Sequence, residues 1–465
     1  MPPSTTLRRR ILHLLAGLLA LLAIWLPAPF GSVHLWAHAV LRIAAAVLLG
    51  IGLLSRVRWP REIGRAATAL AGIAVLGLLQ SIPLPAGLVG VVSPRHVAGT
   101  REARTGDHGS AEVYLSLAPE QSRGFALTWA AVAACGLAAG IVGRYRWGRR
   151  IVGGGVVVAA LLQVMYGARS WMGDGRLWGR EIAGTGGRLR GTFVNPDHFA
   201  MYLEIVLPVV LVVGWWGIRR VRKELMELKV LIAGPPILVW LLLFVALAFS
   251  GSRAGLVAAI FAAVLQGVLI AASARHWKPG VSGLLAAVMG LLAVTFIGLQ
   301  EGLGRWLSTS AYELTWNVRL EVYRQTLELW QRFPLLGTGL ATFREAFPAV
   351  QASASAGAWW HAHNDYLELL ATTGLVGAAL MLVALFWVVR GLLRALREGY
   401  RTEDRCAAVA ALGALAAVAI HSLFDFGLTM PANAATLAIL CGLGIAAGEP
   451  ETPVRLPSPP VVSAR

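Results

Sequence analysis

The stretch VLIAGPPILVWLLLFVALAFSGSRAGLVAAIFAAVLQGVLIAA, residues 230–272, carries a single charged side chain, Arg253, in 43 positions. A helix needs about 20 mainly apolar residues to cross the hydrocarbon of a bilayer. The stretch therefore reads as two spans, 230–250 and 254–272, meeting at "SGSRAG", or as one helix broken there. Composition extends that reading to the whole chain: 57% of its residues are hydrophobic, 14% are charged, and the mean hydropathy is +0.66. A water-soluble domain of 465 residues has no core large enough to hide so much apolar surface, so lipid is the solvent for much of the chain.

Measured by the same length, the sequence contains about 12 candidate spans and is expected to be an all-α polytopic membrane protein. They lie near 11–28, 33–54, 66–84, 124–143, 151–169, 198–217, 230–250, 254–272, 281–300, 366–389, 406–425 and 430–447. Arg8-Arg9-Arg10 ahead of the first resembles a signal-peptide start, but the stretch from Ile11 to Leu26 lacks a small-residue cleavage site and further spans follow, which favours an uncleaved first span. The span at 33–54 carries Arg42, expected to face protein or water. Cys135, Cys406 and Cys441 lie in or beside apolar runs without metal-ligand spacing and read as buried, inert thiols.

The formal charge of +17 would fit a nucleic-acid binder only if it formed a basic face on a soluble fold. Instead, most of the Arg falls in short clusters in alternate loops. With the N-terminus in the cytoplasm, the inside segments hold 25 of the 41 Lys and Arg, as cytoplasmic loops do. Both termini are then cytoplasmic, and three longer outer segments remain, 93–123, 170–197 and 301–365. In the last, Leu320, Tyr323, Leu327 and Trp330 fall at helical spacing, an amphipathic helix lying against membrane or bundle that Pro334 stops. The Pro- and Ser-rich tail at 448–465 reads as disordered.

Four polar groups fall on the outer side of this topology. In "RGTFVNPDHFAMYL", Asn195 and Asp197 flank Pro196 as a helix cap would, while Arg190 is a cation suited to a phosphate. In "SGSRAG", Arg253 either reaches for lipid phosphates or holds a headgroup that its small neighbours admit. Arg319 stands on the amphipathic helix. In "HAHNDYLELLATTGLVG", His361 and His363 precede a span. Histidine, with a reference pKa of about 6.5, is suited to accept a proton near neutrality. The two could also be metal ligands, though H-x-H supplies only two, or play a structural part. His421 and Asp425, four apart, are expected on one face of the eleventh span, either as functional groups or as a buried pair locking helices together.

At these residues the sequence resembles the O-antigen ligase and polymerase superfamily. The ligase pattern is His, then Asn, Ser or Gln, nine residues, then G-x-x-G. Here His363-Asn364 is followed by Asp365 to Thr373 and by Gly374-Leu375-Val376-Gly377. "GTFVNPDHFA", "GSRAG", the stretch from Arg319 to Phe343 and "HSLFDF" resemble further family blocks in the same order, over roughly residues 190–430.

The resemblance divides the chain into N-terminal helices and outer loops (1–190), a ligase-like core with a periplasmic loop at 301–365 (191–447), and a cytoplasmic tail (448–465). It implies a membrane-embedded, GT-C-like glycosyltransferase of the bacterial inner membrane that works without metal or other cofactor. Its donor would be a glycan on undecaprenyl diphosphate and its acceptor a glycan or lipid A-core, with no nucleic acid involved. Carried over by position, His363 would be the catalytic base, and Arg190, Arg253 and Arg319 would hold the diphosphate. Asn195, His361, Asn364, His421 and Asp425 would support the site. A repeat-unit polymerase of O-antigen or exopolysaccharide is the nearest alternative. A lipid-linked glycan transporter is the other, although it would leave the long loop idle and show paired broken helices.

Overall fold

A computed structural model describes residues 5–96, 112–181, 187–221, 223–274, 316–352 and 357–450. The span expected at 281–300 and the tail from 451 onward lie outside the described residues. In chain order the helices are α1 (Thr5–Trp25), α2 (Leu35–Leu54), α3 (Arg61–Gln80), α4 (Ala86–Val92), α5 (Pro119–Val142), α6 (Arg146–Met172) and α7 (Pro196–Arg220). They continue with α8 (Met226–Phe249), α9 (Arg253–Ala274), α10 (Trp316–Arg332), α11 (Phe343–Ala346), α12 (Asp365–Glu398), α13 (Thr402–His421) and α14 (Pro431–Ala446). Extended pairing among the described residues is confined to a two-residue antiparallel ladder, β1 (Leu84–Pro85) with β2 (Glu112–Val113), and a single bridge between Leu177 and Arg180.

Nine of the described helices (α2, α3, α5 to α9, α12 and α13) are long and apolar enough to cross a membrane. The chain is an all-α, multi-pass membrane protein. α1 and α14 are apolar as well, with 21 and 16 residues. Many helices run past the expected apolar limits into their charged flanks: α12 continues from 389 to Glu398, and α3 begins at Arg61 rather than 66. Charged ends extend into the headgroup layer without breaking backbone hydrogen bonds.

The chain does break at "SGSRAG". α8 and α9 are separate helices, with Gly251 at φ 65° between them. α13 ends at His421, so Asp425 stands in the following turn instead of inside the span. One helical turn still joins them, because the Asp425 amide donates to the His421 carbonyl at 3.1 Å.

α14 packs on α5, α12 and α5 on α3, and α13 between α7 and α9. Large side chains such as Leu242, Phe261 and Phe386 point outward, as lipid-facing residues do. The two ends of the bundle differ in chemistry. One end is tied by ion pairs: Arg149 with Asp404, Arg150 with Glu403 at 2.9 Å, and Arg394 with Glu62 at 3.1 Å. The other end collects the start of α7, the α8–α9 turn, the start of α12 and the α13–α14 turn.

α10 and α11 cap that second end around Val322, Leu329, Phe343, Phe347 and Ala362. The inward face of α10 is Val322, Gln325, Thr326 and Leu329. The stripe that sequence spacing singles out is displaced around the helix, with Leu320 44% and Leu327 39% exposed. The cap core takes the smaller residues and leaves those two leucines toward the surroundings.

Candidate active site

The His-Asn-x9-G-x-x-G pattern is an architectural unit. Asn364 caps α12, its Oδ1 accepting from the amides of Tyr366 and Leu367 at 3.0 Å each. Its Nδ2 donates to the Leu423 carbonyl at 3.1 Å, tying the cap to the α13–α14 turn. The nine residues Asp365 to Thr373 are then helix, and Gly374 breaks it at φ 62°, ψ −166°, a conformation essentially confined to glycine.

The break frees backbone groups, and the Pro334–Gly339 loop takes them up. Thr338 and Gly339 donate to the carbonyls of Ala371 and Thr372 at 3.0 and 2.9 Å, while Leu375 and Val376 donate to Pro334 and Leu335 at 2.9 and 3.1 Å. A Cβ on Gly374 would run into the Leu335 carbonyl. Pairing this loop against the broken helix fixes α10 and the cap above the bundle end.

His363 stands just before the α12 cap, in left-handed backbone at φ 51°. That conformation is strained for a non-glycine residue. Tyr323 on α10 holds it there, donating its hydroxyl to the His363 carbonyl at 2.8 Å. Its Nδ1 lies 3.4 Å from Asp425 Oδ1, and its side chain is 22% exposed. The rings of Phe426 and Trp359 meet it edge-on.

His361 turns inward instead. It stacks on Phe426 with centroids 3.9 Å apart and pairs through Nδ1 with Glu368 Oε1 at 2.8 Å. Burial alone would lower its proton affinity, but the Glu368 carboxylate, with help from Asp365 and Asp425, outweighs this and raises it above the ordinary value.

Asp425 is 4% exposed and is ringed by histidines. Besides His363 Nδ1, it meets His198 Nε2 at 3.5 Å and His421 Nε2 at 3.9 Å. Burial opposes its charge, yet His198, His363 and His421 together hold the carboxyl well below the usual carboxylate range. His421 is fully buried and pairs across the bundle with Glu204 of α7 at 2.8 Å. Gly255 of "SGSRAG" is close enough to this carboxylate that a Cβ would come 2.6 Å from Glu204 Oε1.

Asn195 caps α7 by accepting from the Asp197 amide at 2.9 Å. The segment before it lies against the α8–α9 turn, with the Leu189 amide donating to Phe249 at 3.0 Å. Arg190 is 6% exposed. One of its nitrogens donates to the Gly175 carbonyl at 2.6 Å, and Nη1 is buried without a hydrogen-bond partner. Burial pulls its guanidinium below its ordinary proton affinity. Arg253 opens α9 with its side chain exposed. Arg319 donates to the Phe424 carbonyl at 3.3 Å and also buries an unpartnered nitrogen, Nε. Buried guanidinium N–H groups left unmatched call for an acceptor, and an anion is the strongest one.

The structure thus joins His363, His361, Asn364, Arg319, His421 and Asp425 around the 421–426 turn. Arg190, Asn195 and Arg253 gather at the neighbouring α7 start and α8–α9 turn. The two groups connect through His198 and Glu204, which sequence reading passes over. Glu204 is the sole charged residue between 199 and 217, a signal that was available. Arg188 is a further addition: it pairs with Asp197 at 2.7 Å and donates to the Ser250 carbonyl at 2.5 Å, fastening the two segments together. Glu368, three residues after Asp365, is another.

A buried histidine–carboxylate cluster thus stands at one end of the helical bundle, with Arg190 and Arg319 each burying one unmatched nitrogen. Residues 237–382 match the O-Antigen ligase family model, so the resemblance to the O-antigen ligase superfamily holds across the "SGSRAG" turn, the cap and the His363 pattern. That family's class is membrane glycan transfer of the glycosyltransferase type, with lipid-linked glycan and acceptor as substrates. No curated protein matches the chain.

Proposed function

We propose that the chain transfers a glycan from undecaprenyl diphosphate to an acceptor hydroxyl on the periplasmic face of the inner membrane, as a ligase, with inversion and without a metal. The observation that carries this reading is His363 Nδ1 at 3.4 Å from the buried Asp425 carboxylate, with the ring partly open to the outside. With Nδ1–H turned to Asp425, Nε2 is left as the basic nitrogen. A carboxylate behind an imidazole selects that tautomer and stabilises the imidazolium that forms.

His363 Nε2 takes the acceptor hydroxyl proton as the oxygen attacks the anomeric carbon. The bond from that carbon to the diphosphate oxygen breaks on the opposite face, and its electron pair leaves with the diphosphate. Arg190, Arg253 and Arg319 offset the developing charge, which fixed donors do most effectively away from water. The proton leaves His363 to the outer water. His421 and Glu204 act behind Asp425, and Asn195 and Asn364 hold the two helix starts in place.

The test is transfer in proteoliposomes, with purified lipid-linked donor and either lipid A-core or a second lipid-linked unit as acceptor. Transfer to lipid A-core that is lost in His363→Ala supports the ligase reading. Elongation of the second unit alone assigns the polymerase role. No product with either acceptor overturns the proposal.

A further inference from the structure

The loop leading to His363 turns its aromatic side chains alternately in and out. Trp359 packs onto the cap core and meets the His363 ring at 5.9 Å, and His361 stacks on Phe426. Trp360, between them, is 57% exposed. The Arg344 guanidinium of α11 lies over its ring, 4.0 Å from the centroid. Nothing in the proposed chemistry uses either residue.

A singly exposed aromatic side chain is ordinary. Here two features add to exposure. The cation fixes the plane of the indole and occupies one of its faces, so the exposed area is a held surface. Trp360 is also three residues from the base, at most about 11 Å between Cα atoms. Beside Arg344, Glu345 accepts from Gln121 at 2.8 Å, adding polar groups to the same short helix.

We infer that Trp360 and Arg344 form a sugar-binding subsite for a pyranose unit of the glycan, beyond the unit at the reacting carbon. A pyranose presents an apolar C–H face rimmed by hydroxyl groups. A rigid aromatic plane matches that face at little entropic cost, and Arg344, on the opposite face of the indole, holds that plane in position. The inference rests on the glycan-transfer reading for the class of ligand. The sugar belongs to the donor glycan or to the acceptor glycan, and the two arms of the test separate them.

The full chain in phosphatidylethanolamine–phosphatidylglycerol nanodiscs is examined by saturation-transfer NMR. The probes are free oligosaccharides released by mild acid from the purified donor and, separately, from the acceptor. Wild-type protein is expected to bind one of the two, Trp360→Ala to bind it about tenfold more weakly, and Trp360→Phe to fall between. In the transfer assay Trp360→Ala should raise KM for that same substrate about three- to tenfold, with kcat within about twofold.

Equal binding by wild type and Trp360→Ala overturns the subsite, as does the absence of binding to both oligosaccharides. Binding that depends on Trp360 in a protein without transfer activity leaves the subsite standing and removes the ligase reading. Normal transfer kinetics in Trp360→Ala does the reverse.

Discussion

His363 and Asp425 face each other across the junction of the cap and the α13–α14 turn, Nδ1 to Oδ1 at 3.4 Å. The contact joins a residue before α12 to one after α13, so orienting the base depends on both helix ends. General-base help is worth about 10²–10⁴ in rate. His363→Ala is therefore expected to lower kcat by that range while expression and membrane insertion persist. Asp425→Asn should lower kcat by about 10²–10⁴-fold. The double variant should be little worse than His363→Ala, because the two act as a unit. Additive losses in single-turnover transfer would contradict the pairing.

His361 supplies a pH signature separate from catalysis. Its proton affinity in the folded protein lies above the ordinary histidine value, since Glu368 outweighs the effect of burial. The His361–Glu368 pair then contributes stability that is full below the unfolded pKa of about 6.5 and is lost as pH rises through the higher folded value. Thermal stability of wild type relative to His361→Gln should be greatest at pH 6 and shrink toward pH 9. A gap that widens with pH would refute the charged pair.

The spans and the ligase-like pattern were legible because both are periodic or local signals. Apolar runs show spans by length, and His363-Asn364 with the glycine pair is contiguous in the chain. The partners that give those residues meaning come from far away. Asp425 is 62 positions from His363, Glu204 is 217 from His421, and Arg188 meets Ser250 across 62. No single-chain spacing encodes such pairings. The full buried face of α10 is illegible for a different reason: at helical spacing its apolar stripe is Leu320, Tyr323, Leu327 and Trp330, and the cap buries Gln325 and Thr326 as well as packing Trp330. The hydroxyl of Thr326 donates to the Val322 carbonyl at 2.7 Å, and Gln325 donates to Glu321, so both polar groups are satisfied in the core.

Gly374 should tolerate no side chain. An added Cβ meets the Leu335 carbonyl, and the backbone conformation itself costs a non-glycine residue about 1–3 kcal/mol. Gly374→Ala is expected to lower the melting temperature in detergent and to expose the Pro334–Gly339 loop to protease. Gly50→Ala, with nothing within 4 Å of the added carbon, is the control and should leave both unchanged. Equal stability of the two variants would show that the loop does not depend on the break.

The ion-paired end and the histidine end should lie on opposite sides of the membrane. Arg180, in the loop before α7, and Tyr400, between α12 and α13, are both exposed and mark the two ends. The native cysteines Cys135, Cys406 and Cys441 are buried and should stay silent. Arg180→Cys is expected to react with an impermeant maleimide in intact cells, and Tyr400→Cys only after permeabilisation. Labelling of both in intact cells would contradict the assigned sides.

The three arginines are expected to differ in how they fail. Arg253 stands exposed at the start of α9, within reach of a bound donor, and its loss should act chiefly on donor binding. Arg253→Lys keeps the charge but loses the planar fork that matches a diphosphate, and Arg253→Ala loses both. Donor KM should rise in that order, with acceptor KM unchanged. Arg319 also donates to Phe424, next to Asp425, and its buried Nε lacks a partner. Arg319→Ala should therefore lower kcat as well, by about 10²-fold, because the 421–426 turn loses a tie on which His363 depends. Arg190 is almost wholly buried against Gly175, so Arg190→Ala is expected to destabilise the outer loop and Arg190→Lys to recover the fold better than the activity. Donor KM, acceptor KM and kcat measured for each variant decide the assignment. If all three alanine variants keep the wild-type donor KM and kcat, the diphosphate is held elsewhere, and the unmatched nitrogens of Arg190 and Arg319 serve another anion.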